Sequence, residues 1–142
     1  MAINVSIALN KGFRCITLMD SGYVVKKDFG KYEVKNIYSD IIGVTKQAIL
    51  LVRSYINSGN CKDDEFVFES SNSIFVGWFD KLYAKDIYQD EFTELLTLLN
   101  SLPIRYRIVH NEKPLASQYL KTFNEQDLKP KLSGLDLSVE ED

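Results

Sequence analysis

The chain has 142 residues, 45% of them hydrophobic and 12% aromatic, enough for one packed core and too much for a chain disordered over most of its length. Its formal charge of −3 is uneven: residues 124–142 hold six acids and two bases, so residues 1–123 sum to +1. A near-neutral body lacks the clearly basic footprint usual in nucleic-acid binders, and no apolar run reaches the roughly 18 residues that a membrane span needs.

The N-terminal run "INVSIAL" alternates Val5, Ile7 and Leu9 against Asn4, Ser6 and Ala8, a strand pattern, and the start has neither the basic flank nor the cleavage site of a secretory leader. "FRCITLM" and "YVVKKDF" are second and third strands, and the turns "NKG" and "DSG" between the runs predict an antiparallel meander. Lys26, Lys27 and Asp28 place the third strand at an exposed edge. A long helix follows, capped by Ser39 or Asp40, with Ile41, Thr45, Ala48, Ile49, Val52, Tyr55 and Ile56 on one face and "NSGN" at its end. "EFVFE" is apolar enough for an internal fourth strand. Ile74, Phe75, Trp78, Phe79 and Leu82 make a second helical stripe, taken as core rather than a binding box. Asp90 caps a third helix with Phe92, Leu95, Leu96 and Leu99 inward, and Pro103 follows it. "IRYRIV" is a fifth strand with Ile104, Tyr106 and Ile108 on one face. Pro114 opens a last helix through Leu115, Tyr119, Leu120 and Phe123.

The order βββ-α-β-α-α-β-α predicts one α/β domain over 1–123. Its sheet is mixed and five-stranded, a three-strand meander plus two parallel strands reached through helices, with the helices on its faces. Residues 124–142 are expected to form an acidic, disordered tail whose Leu132, Leu135 and Leu137 are candidates for docking in a partner's groove. Cys15, in a strand, reads as a buried thiol and Cys61, in a loop, as an exposed one; they make no disulfide framework and no metal quartet, which suits a reducing cytoplasm. There is no phosphate-binding glycine loop, no serine-nucleophile motif and no zinc-protease motif.

Over about residues 3–123 the chain resembles the ribonuclease H family in element order, element length and some local sequence. What the resemblance implies is a site of four carboxylates holding two divalent ions: an Asp ending strand one, a Glu in the first helix, an Asp ending strand four, and an Asp in the last helix after a loop that often contains His. In "VSIALNKG" the first position is Asn10; in "GVTKQAILLV" the Glu falls at or near Thr45; in "FESSNSIF" the second Asp is Ser70; in "HNEKPLASQYLK" the last is Ser117, with His110 as the loop histidine. All four positions are neutral. Magnesium requires hard anionic oxygens, and two-metal phosphodiester hydrolysis requires both ions. The expectation is therefore a catalytically inactive domain with no metal and no cofactor.

Such a domain is expected to bind another protein or, weakly, RNA, DNA or an RNA–DNA hybrid. Lys11, Arg14, Lys46, Arg105, Arg107, His110 and Lys113 are the candidates for holding a nucleic-acid backbone. The alternative is a metal-dependent nuclease built from displaced acids, Glu69, Asp40 and Glu33. Strand alternation argues against Glu69 in that role, since one residue's shift turns a side chain to the other face.

Overall fold

Strands β1 (Ile3–Asn10), β2 (Phe13–Asp20) and β3 (Tyr23–Lys31) form the meander that the alternation predicts. Both turns are two residues long, and their central residues all have positive φ: Lys11 at 52° and Gly12 at 89°, Ser21 at 54° and Gly22 at 84°. That conformation suits the twist of the strands it joins, and glycine meets no steric penalty at the second position of each turn. Helix α1 (Ile37–Asn57), β4 (Glu65–Ser70), α2 (Ser73–Lys81), α3 (Gln89–Asn100), β5 (Arg105–His110) and α4 (Leu115–Lys121) complete the order, with a short 3₁₀ turn at Asp86–Tyr88. The structure, a computed structural model, describes residues 2–123; the tail segment, with Leu132, Leu135 and Leu137, lies outside the described residues.

The five strands run β3-β2-β1-β4-β5 across one sheet. β1 pairs antiparallel with β2 and parallel with β4, and β4 pairs parallel with β5. The mixed sheet, the internal β4 and the edge position of β3 all match the sequence pattern. Alternate residues of each strand face opposite ways. Ile3, Val5, Ile7, Ile16, Leu18, Phe66 and Phe68 point into the main core, where α1, α2 and α3 cover them. The opposite face holds a smaller core, Ala8 and Cys15 under Ala116 of α4, edged by Phe29, Tyr119 and Leu120.

An aromatic cluster joins the first turns of α1 and α3 to α2. Tyr38 in the first turn of α1 packs on Trp78 of α2 at 5.1 Å and on Tyr88 at 5.3 Å, and Phe92 of α3 meets Trp78 and Phe79 edge-on. Ser39 donates from Oγ to Glu91 at 3.0 Å, tying α1 to α3. On the other face Ser6 Oγ accepts the Ala116 backbone N–H at 2.8 Å, and Phe123 stacks on Phe29 at 4.6 Å.

The structure corrects several local expectations. Helix α1 is capped by Asn36, whose extended backbone (φ −153°) lets Oδ1 accept the Ser39 N–H at 3.0 Å. The helix thus begins earlier than Ser39 or Asp40, and Asp40 sits in its first turn. Asp90 likewise lies in the first turn of α3, after Tyr88. Leu82 is not part of the inward stripe of α2: it is the C-cap, in the left-handed conformation (φ 55°), and is 64% exposed. Ile74, on the first turn, also faces solvent. Cys61 is half-buried rather than exposed, its thiol donating to the Asp63 carbonyl.

Candidate functional site

Parallel strands β1 and β4 lie side by side, with β4 ending at Ser70, one step past the Ser6–Glu69 pair, and β1 running on to Asn10, and the chain leaves them in different directions. β1 turns back into the β2 hairpin, while β4 passes through Ser71 and Asn72 into α2. A crevice at such a point is where open α/β sheets usually bind ligands. Here it is a cavity of about 470 Å³.

Asn10 and Lys11 from the end of β1, Ser70 and Ser71 from the end of β4, and Asn36 and Asp40 from the start of α1 supply its polar wall; Tyr32, Val34 and Ile37 add apolar surface. Two helices start at its edge. The cap of α1 is Asn36, and the cap of α2 is Asn72, whose Oδ1 accepts the Phe75 N–H at 2.9 Å. Both caps line the cavity, so it receives the partially positive ends of both helices. Asp40 is buried, and its Oδ1 accepts the Lys35 backbone N–H at 2.9 Å. Ser70 Oγ accepts the Asn72 N–H at 3.2 Å, which shapes the β4–α2 turn.

Asn10 and Ser70 both line this cavity. Thr45 does not join them. It is 2% exposed, faces the main core from the middle of α1, and leaves Oγ1 without a hydrogen-bond partner. The α1 carboxylate on this cavity is Asp40, five positions earlier. The sequence offered Asp40 as a helix cap or as a displaced acid, and only the docking of the first turn of α1 brings it to the cavity. Ser117 is not on this wall either; its hydroxyl donates to the Pro114 carbonyl at 2.7 Å.

Of the basic candidates, only Lys11 lines the cavity. Arg14 is engaged elsewhere, donating to Gln47 of α1 and pairing with Asp28 of β3 at 3.0 Å. Lys46 pairs with Glu94 of α3 at 2.9 Å, because its position on α1 faces that helix. Arg105 pairs with Asp64 at 3.1 Å, which raises the guanidinium pKa further. Arg107, His110 and Lys113 are exposed on β5 and the loop after it, away from the cavity lining.

The displaced acids are separated as well. Glu69 lines a different cavity, with Ser6 and Thr17, on the face that α4 covers, and Glu33 is an exposed loop residue. Among the described residues no group of three or more His, Cys, Asp or Glu is placed to hold a metal ion. No helix among them is long and apolar enough to cross a membrane.

No protein-family model matches the chain, and no curated protein matches it in sequence. Its fold, however, is similar to solved ribonuclease H structures. One is RNase H1 from the halophilic archaeon Halobacterium salinarum NRC-1, with a TM-score of 0.62, 8% identity, and coverage of 78% of this chain and 86% of that one. Another is LC11-RNase H1 in complex with an RNA/DNA hybrid, with a TM-score of 0.62, 9% identity, and coverage of 78% and 83%. The chain has a ribonuclease H-like fold.

Proposed function

We propose that this is a non-cleaving ribonuclease H-like module that holds a nucleic-acid backbone at the cavity between the ends of β1 and β4. The observation that carries the reading is the makeup of the wall: Asn10 and Ser70 are neutral, and Asp40 is the one carboxylate among the lining residues. One carboxylate, already accepting the Lys35 amide, is a poor cage for two divalent ions, which repel each other unless anionic ligands surround them. It is also a weaker barrier to a phosphate than four carboxylates are. Lys11 and the two helix starts supply the favourable charge. One structural neighbour was solved with an RNA/DNA hybrid, which makes hybrid the first ligand to try.

The second reading is a nuclease using displaced acids. Asp40 on the cavity wall favours it, but another of those acids, Glu69, lines the cavity on the other face.

Fluorescence anisotropy with labelled RNA–DNA hybrid, in EDTA and in excess Mg²⁺ or Mn²⁺, tests both readings. The expected result is weak binding that declines with salt, is lowered several-fold by Lys11→Glu, and leaves the hybrid intact. Absence of binding at low salt refutes the module, and metal-dependent turnover lost in Asp40→Asn establishes the nuclease.

A further inference from the structure

A second cavity, of about 250 Å³, opens on the other face of the sheet beside α4. One polar row crosses its floor: register pairs Thr17 of β2 with Ser6 of β1, and Ser6 with Glu69 of β4. Two features of this row are left unexplained by packing. Thr17 is 1% exposed, lines the cavity, and has no hydrogen-bond partner for Oγ1. A buried hydroxyl in that state is destabilising unless something satisfies it. Glu69 is half-buried and has no cationic partner among the described residues. Its oxygens accept neutral amides instead, from Asn4 Nδ2 and Asn111 Nδ2, each at 3.2 Å. Arg107, two positions along by register on β5, makes no ion pair with it.

The two amides fix the orientation of the Glu69 carboxylate without neutralising it. The cavity is thus richer in acceptors than in donors: the carboxylate, the Thr17 hydroxyl, and the side-chain carbonyls of Asn4 and Gln118. Ser6 Oγ already accepts the Ala116 amide. We infer that this cavity binds a primary alkylammonium group, of the kind that ends a lysine side chain or a polyamine, with Glu69 as its counter-charge and Thr17 Oγ1 as an acceptor. An ammonium brings three donors and no acceptor, which is the complement of this wall. One carboxylate matches one positive charge, whereas a divalent ion requires more anionic oxygen than the row provides. Met19 and Leu115 supply apolar surface for the methylenes that lead to the charge.

The test is an NMR titration of the full-length protein with n-butylammonium, against sodium chloride at matched ionic strength. Nα-acetyl-lysine methylamide and spermidine form two further arms. Saturable shifts at Thr17, Glu69 and Asn111 in about the millimolar range are expected. They should vanish in Glu69→Gln and be about tenfold weaker in Thr17→Val. Tighter binding of the acetyl-lysine amide assigns a peptide source, and tighter binding of spermidine a polyamine. No saturable shift, equal shifts with sodium, or binding indifferent to both substitutions overturns the inference. If Glu69→Gln fails to fold, the pair Thr17→Ser and Thr17→Val decides: retention in the first and about tenfold weaker binding in the second supports the site, and equal binding in both refutes it.

Discussion

Glu69 and Ser70 are consecutive residues of β4, yet they line different cavities on opposite faces of the sheet. Ser70 lines the cavity that Asn10 and Asp40 also line, while Glu69 sits in a row with Ser6 and Thr17. Strand alternation makes this separation unavoidable as long as β4 has no bulge, and its register with β1 and β5 is regular. The only acid of the β4 turn is therefore withheld from the cavity where family resemblance would require one.

The first prediction restores charge to that wall. Asn10→Asp together with Ser70→Asp would set two new carboxylates beside Asp40. Like charges crowded into a partly buried cavity should lower stability by about 1–3 kcal/mol in chelator. Added Mg²⁺ should recover part of the loss, since the ion binds only the folded state. Thermal melts in EDTA and in Mg²⁺ measure both effects. A melting temperature indifferent to the substitutions and to metal would mean that the three positions do not share a cavity.

Position 45 gives a contrasting expectation. Thr45 is buried in the main core with an unpartnered hydroxyl, so Thr45→Val should be neutral or slightly stabilising. Thr45→Glu should cost more than about 3 kcal/mol, because the carboxylate has no water and no partner there. Urea unfolding of both variants checks this. Unchanged stability in Thr45→Glu would mean that solvent reaches this position and would restore it as the α1 member of the site.

A third expectation concerns Tyr55, which donates its hydroxyl to Asp20 Oδ2 at 2.8 Å and so ties α1 to the end of β2. Tyr55→Phe should cost about 0.5–1.5 kcal/mol, the usual net value of such a bond. Burial, reinforced by the hydrogen bond and charge of Asp20, pushes the tyrosine pKa up to about 12. The unfolded chain ionises this group near its ordinary value of 10, so the folded state binds the proton more tightly. Its contribution is complete below that pH and is lost as pH rises through about 12. Stability measured against alkaline pH should fall less steeply in Tyr55→Phe; identical slopes would exclude Tyr55 as a source of the dependence.

The cysteines supply the fourth prediction. Burial pushes the Cys15 thiol up to about 11, and burial also raises Cys61. Since the thiolate is the nucleophile, both should alkylate more slowly than a free thiol at pH 8. Cys15, with no exposed surface, should react only on unfolding. Iodoacetamide labelling followed by mass spectrometry, with and without urea, distinguishes the two. Rapid labelling of Cys15 in the native protein would show that α4 opens readily.

What the sequence determined by itself was the architecture. The period-two runs, the two glycine turns and the helical stripes dictated the element order, the meander and the edge position of β3, because these depend on local geometry and on burying apolar faces. Three matters were decided only by the tertiary structure. Whether Asp40 or Thr45 faces the cavity depends on where α1 begins and how it rolls against β1, and an apolar stripe wide enough to include both does not fix that rotation. Which lysines and arginines remain unpaired depends on neighbours distant in sequence, as Arg14 with Asp28 and Gln47 or Lys46 with Glu94 show. The row of Thr17, Ser6 and Glu69 comes from three separate strands, and only their hydrogen-bonded register makes it one surface.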